Sequence, residues 1–218
     1  MNFLQIALTT KCNLACGHCP MTEYRNTDDT KWHLTNEVLL PFIEKYIDPR
    51  NWLIELTGGE PALYKGIDEL CDWLAERGYQ VLIKTNGTLP LPKRPSIVRC
   101  AAFHQLNTPP KYFDVFLIVD KLEREPKEKY CREHEIPYEV IGFDKEHFDD
   151  AAHDFEQMAF IEPNCHQTAC PAAKVKIDIK NNIDISRLEY AEFKPRPACK
   201  WCKAVIDAWR FKKYIFKV

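Results

Sequence analysis

The sequence has no run of apolar residues long enough to cross a bilayer. Its longest aliphatic and aromatic stretches, such as Val115 to Val119, fall far short of the roughly 20 residues a helical span needs. No basic segment precedes the apolar start and no small-residue cleavage site follows it, so no signal peptide is expected. Neither an internal repeat nor a low-complexity stretch is evident. Excess charge of one sign is also missing: 30 Lys and Arg stand against 32 Asp and Glu, a net −2, which forces no nucleic-acid or membrane partner on the whole chain. Disordered and fibrous classes are excluded, because 218 residues at 45% hydrophobic and 12% aromatic can bury a real core. The expectation is a soluble cytoplasmic chain, one domain of ordinary size with room for a small appendage.

Cysteine, by contrast, is abundant: there are 10, at positions 12, 16, 19, 71, 100, 131, 165, 170, 199 and 202. In a reducing compartment, clustered thiols indicate metal or redox chemistry more often than disulfides. Cys71, on an apolar helical stripe, and Cys100, in a strand, read as core residues. Cys131 reads as a half-exposed thiol with no assigned role.

Apolar periodicity gives a strand over Phe3 to Thr9, a helix over 36–47 and a strand over Trp52 to Leu56. Pro41 is tolerable in that helix only near its first turn. A second helix carries Ile67, Leu70, Cys71 and Leu74 and stops at Gly78, followed by a strand over Gln80 to Lys84. Further strands are expected over Ile97 to Phe103, Tyr112 to Val119 and Tyr138 to Phe143, with helices over 127–134 and 148–158. The Pro-rich stretch 90–95 leaves little room for a helix before the fourth strand. Strands alternating with helices imply a parallel sheet, and six strands are too few for a closed eight-stranded barrel. From residue 163 the pattern changes. Lys174 to Ile179 and Ile183 to Leu188 alternate around Lys180-Asn181-Asn182, as in an antiparallel hairpin.

Three thiols, Cys12, Cys16 and Cys19, lie within eight residues directly after the first strand. Such spacing lets one loop wrap a compact cluster, and three ligands would leave one iron of a four-iron cluster open to chemistry. Zinc is the competing ion; His18, between two of the cysteines, is poorly placed as its fourth ligand. Incidental surface thiols are the remaining alternative. Gly58-Gly59-Glu60-Pro61 ends the second strand and Thr85-Asn86-Gly87-Thr88 the third. In parallel α/β sheets, ligands bind at these carboxyl ends. Glycines there let backbone approach a ligand, and Glu60 offers a carboxylate to an ammonium. An ordinary strand-to-helix turn, with Glu60 favoured by the helix dipole, is the plain alternative. For Asn86 it is a tight turn.

Cys12, Cys16, His18 and Cys19 match the Cys-x3-Cys-x-φ-Cys signature that resembles the radical S-adenosylmethionine (SAM) enzymes. Gly58-Gly59-Glu60 is similar to that family's GGE motif, and Thr85 to Thr88 to another segment lining the same pocket. The resemblance covers residues 3–90 and fades afterwards. It implies a partial (β/α)6 barrel over 1–162, and a 4Fe–4S cluster on Cys12, Cys16 and Cys19. It also implies SAM contacts from Gly58, Gly59, Glu60, His18 and Asn86, and a one-electron reductant such as a flavodoxin or ferredoxin. Reductive cleavage of SAM would then yield a 5′-deoxyadenosyl radical that takes hydrogen from a substrate. No adenine segment of the usual kind is recognisable; Val140 to Phe143 is a poor echo, and His104 and Asn107 are guesses.

Cys165 and Cys170, with Cys199 and Cys202, flank the expected hairpin and make a four-thiol set able to hold zinc or a second 4Fe–4S cluster. His166 could replace Cys165. Residues 163–218 thus read as a small metal-binding β-hairpin module, similar to a shortened SPASM or twitch extension. Residues 171–218 carry twelve Lys and Arg against five Asp and Glu. That excess suits a solvated surface or an anionic partner. A peptide, an amino-acid-like group or a modified nucleotide or base are the substrate classes considered. A glycyl-radical-enzyme activase and a zinc-binding nucleic-acid module are the alternative functions.

Overall fold

The computed structural model describes residues 2–16, 34–102, 110–118, 124–140, 157–161, 166–168 and 177–178. Six strands pair side by side in chain order: β1 (Asn2–Ala7), β2 (Trp52–Thr57), β3 (Gln80–Thr85), β4 (Ile97–Ala102), β5 (Val115–Ile118) and β6 (Tyr138–Val140). All five pairings are parallel. Helix α1 (Asn36–Tyr46) joins β1 to β2, α2 (Ile67–Glu76) joins β2 to β3, and α3 (Arg124–Glu133) joins β5 to β6. This is the expected α/β architecture. No helix interrupts 86–96, where the prolines stand.

The alternation of side chains sorts the sheet into two faces. Leu4, Ile6, Leu8, Ile54, Leu56, Val81 and Ile83 face the helices and pack with Leu39, Phe42 and Ile43 of α1 and Leu70, Cys71 and Leu74 of α2. Strand β5 continues the same layer, with Phe116 and Ile118 against Cys131 of α3. Cys131 is therefore fully buried rather than half-exposed. Cys71 and Cys100 are buried as expected.

Helix ends follow their local chemistry. Gly78, at φ +76°, closes α2 with a Schellman pair: Tyr79 N–H donates to Leu74 O at 3.0 Å and Gly78 N–H to Ala75 O at 3.1 Å. Pro41 lies inside α1, as in the helix expected over 36–47, just past its first turn; it has no N–H to give the Glu37 carbonyl, and both residues are exposed. Asn36 locks α1 to the start of α2. Its Nδ2 donates to Gly66 O at 3.0 Å and Glu69 Oε2 at 2.8 Å, and its Oδ1 accepts the Tyr64 hydroxyl at 3.0 Å.

The second half of the chain departs more. Gln157 and Met158, expected at the end of a helix, belong to strand β7 (Gln157–Ile161), which pairs parallel with the free side of β1. Gln, Met and Ala are good helix formers, and pairing against a fully formed sheet edge overrides that preference. β8 (His166–Thr168) and β9 (Ile177–Asp178) then add antiparallel beyond β7. Ile177 and Asp178 thus pair with His166 and Gln167. The hairpin arm expected over 183–188 lies outside the described residues, as do Cys165, Cys170, Cys199 and Cys202. Among the described residues no helix is long and apolar enough to cross a membrane.

Candidate active site

The loops that follow β1, β2 and β3 meet at one end of the sheet. The β1–β2 ladder does not stop with the strands. Leu8 N–H donates to Thr57 O at 2.9 Å, Gly59 N–H to Thr9 O at 2.6 Å and Glu60 N–H to Lys11 O at 2.7 Å. The segment leading to Cys12 is thereby zipped to Gly58-Gly59-Glu60. Both glycines are required by this contact. A Cβ on Gly59 would stand 2.2 Å from Lys11 O, and one on Gly58, at φ +127°, 2.5 Å from Thr9 O. The close approach visible here is of backbone to the cysteine loop's own backbone.

Glu60 is fully buried. Its Oε1 accepts the Thr85 hydroxyl at 2.6 Å and Ala62 N–H at 3.1 Å, and its Oε2 accepts Asn86 N–H at 2.7 Å. The Ala62 bond caps the single 3-10 turn Pro61–Leu63. Every one of these donors is neutral. Burial pushes the carboxyl above its ordinary range, opposed by the hydrogen bonds from Thr85, Asn86 and Ala62. A carboxylate has room for about four donors, so three leave a place for a cationic one.

Asn86 continues the network toward the thiols. Its Oδ1 accepts Thr88 N–H at 3.0 Å and the Thr88 hydroxyl at 2.7 Å, and its Nδ2 donates to Asn13 Oδ1 at 2.8 Å. Asn13 Nδ2 in turn donates to Thr88 Oγ1 at 2.8 Å. The Cys12 sulfur lies 3.5 Å from Leu14 N and 3.9 Å from Asn86 Nδ2. Gly87, at φ +68°, fits where a Cβ would meet Pro110 Cβ at 2.4 Å.

The structure therefore brings Cys12, Gly58, Gly59, Glu60 and Asn86 together. Cys16 lies on the same loop as Cys12, and both thiols are half-buried and free of disulfides. His18 and Cys19 lie outside the described residues. What is present fits a cation-bearing ligand beside a thiolate-held metal group: a cysteine loop pinned to a glycine cradle, and a buried carboxylate whose hydrogen-bond donors, among the described residues, are all neutral.

A polar trio escaped the sequence reading. On the face turned away from α1 and α2, Gln5 Nε2 donates to Glu55 Oε1 at 2.5 Å, and Lys84 Nζ stands 3.2 Å from Glu55 Oε2. Gln5 and Glu55 are register partners, near the same strand ends as the loops above. The signal was available: Gln5 and Glu55 each interrupt an apolar run, and Lys84 follows one. A fully buried Glu55 is expensive unless paired, and Lys84 and Gln5 supply that pairing.

Comparison with known proteins adds the following. A GTP 3′,8-cyclase of Helicobacter pylori is 30% identical over 109 residues, 49% of this chain and 34% of that protein. A 7-carboxy-7-deazaguanine synthase of Bacteroides thetaiotaomicron is 39% identical over 90 residues, 41% of this chain and 44% of that protein. A synthase of the same name from Methanothermobacter thermautotrophicus is 38% identical over 79 residues, 36% of this chain and 31% of that protein. The matched segments thus span less than half the length of these relatives. In fold, the chain resembles Streptococcus suis SuiB bound to S-adenosylmethionine, with a TM-score of 0.54 at 15% identity over 90% of this chain and 66% of that one. The family model of the radical SAM superfamily matches residues 6–133, from the end of β1 through α3, with all three loops. With more than half of its length so matched, this chain belongs to the radical SAM superfamily.

Proposed function

We propose that the chain is an enzyme that cleaves SAM reductively and uses the product to take hydrogen from a purine-type nucleotide or base. The observation that carries the first half is the convergence of the Cys12 loop, the Gly58-Gly59 cradle and buried Glu60 at one end of a parallel sheet. Cys12, Cys16 and Cys19 hold a 4Fe–4S cluster in this reading. Glu60 accepts the ammonium of SAM, relieving a carboxylate whose donors among the described residues are neutral. Gly58, Gly59, His18 and Asn86 line the same ligand. The bound cluster and SAM together supply a carbon-centred radical, and the protein orients the target carbon and keeps water away.

Support for the substrate class comes from a relative whose name specifies GTP, and from another whose name gives a deazaguanine as its product. A one-electron donor of the flavodoxin or ferredoxin kind is required. Cys165, Cys170, Cys199 and Cys202 are proposed to hold a second 4Fe–4S cluster or zinc in a module spanning 163–218. The proposed barrel spans 1–162.

Anaerobic reconstitution tests the reading. About four iron per chain would report one cluster and about eight would report two. Reduced protein given SAM should form 5′-deoxyadenosine, and Cys16→Ala should abolish it. Undiminished product from that variant would break the ligand assignment. GTP and related nucleotides should accelerate the reaction; acceleration by peptides alone would overturn the substrate class.

A further inference from the structure

We infer that the Asn86 side-chain amide, with the Leu14 N–H, hydrogen-bonds the Cys12 sulfur in its metal-bound thiolate form and so eases reduction of the cluster. Asn86 is then a positioning residue acting through Cys12. The inference rests on Cys12 being a cluster ligand, but gives Asn86 a part distinct from lining the SAM pocket.

The hydrogen-bond network fixes which way the amide points. Oδ1 already receives two donors from Thr88, at 3.0 and 2.7 Å, so it cannot exchange places with Nδ2 without setting an N–H against them. One Nδ2 proton is held by Asn13 Oδ1 at 2.8 Å, and the amide nitrogen lies 3.9 Å from Cys12 Sγ. That is the outer reach of a bond to a neutral thiol, which accepts weakly. A thiolate carries charge and draws donors more strongly. Leu14 N–H, at 3.5 Å, approaches the same sulfur through the local turn. Donors on a ligating sulfur withdraw charge from the cluster and stabilise its reduced form.

The closed ring of Asn13, Asn86 and Thr88 gives the arrangement a rigid mount. Asn13 comes from the cysteine loop itself, whereas Asn86 and Thr88 come from the loop after β3. The donor is therefore held by a different strand from the sulfur it serves, and its distance from that sulfur is fixed by the sheet.

The test is the midpoint potential of the reconstituted cluster, followed by its low-temperature spin signal during a redox titration. Asn86→Ala should move the midpoint to more negative values, on the order of a tenfold change in the reduction equilibrium, or about 59 mV for one electron. Thr88→Val keeps the backbone N–H that orients the amide and should move it far less. An unmoved midpoint in Asn86→Ala, or an equal shift in both variants, overturns the inference while leaving the cluster itself standing. Protein that takes up no iron would overturn both. Should Asn86→Ala fail to retain iron, the unsubstituted protein decides: its Fe–S(Cys) vibrations should shift in heavy water, and bands that stay put overturn the inference.

Discussion

The Thr85 hydroxyl donates to Glu60 Oε1 at 2.6 Å, joining the loop after β2 to the end of β3 inside the protein. With Asn86 N–H on the other oxygen, Glu60 ties two strand ends together. That structural part and the proposed one, accepting the ammonium of SAM, should separate by pH.

Burial raises the Glu60 pKa, so in the ligand-free protein the folded state holds its proton where the unfolded chain has released it. Stability tied to this residue should therefore be full below the unfolded carboxyl value of about 4.3 and fall as pH rises through the raised folded value. Urea midpoints of the native protein and of Glu60→Gln, measured across that window, should differ in slope, the variant being flatter. Saturating SAM should reduce the native slope by supplying a cation. Identical slopes with and without the carboxylate would remove the basis of this claim.

Gly59→Ala places a methyl group 2.2 Å from the Lys11 carbonyl, and backbone cannot step aside as a side chain can. The expected cost is about 3 kcal/mol, at the upper end for overpacking, together with poor iron retention because the cysteine loop is displaced. Chemical denaturation and iron analysis on the same sample check both. Gly78→Ala is the contrast. Nothing stands within 4 Å of its Cβ, so its cost should come from the positive φ alone and leave iron uptake intact.

Thiol labelling of the metal-free protein at neutral pH should mark Cys12 and Cys16, which are half-buried. It should spare Cys71, Cys100 and Cys131. Burial pushes the Cys71 thiol up to about 12 and the Cys131 thiol up to about 11, so neither offers an appreciable thiolate. Peptide mapping by mass spectrometry reads the pattern, and labelling of Cys71 or Cys131 before unfolding would contradict the buried packing.

Much of the front half was legible because its signals are local. Apolar alternation marked β1 to β3, Gly78 marked the end of α2, and the cysteines, Gly58-Gly59-Glu60 and Thr85-Asn86 each followed a strand. Where the determinants are non-local, the local pattern misleads or gives no sign. Met158 carries helix preference and lies in a strand because β1 offers an open edge. Cys131, unassigned from its short helix, is buried because β5 sets Phe116 and Ile118 beneath it.

Residue order alone decided the thiol spacing, the positions of the glycines and the succession of strands, since each depends on neighbours along the chain. Only the folded sheet decided what those glycines touch, that the Asn86 amide comes up to Cys12, and that Gln5, Glu55 and Lys84 meet on one face. Those facts depend on parallel register, which brings together residues far apart in the chain, Asn86 and Cys12 being 74 residues apart, and leaves no trace in any short window of sequence.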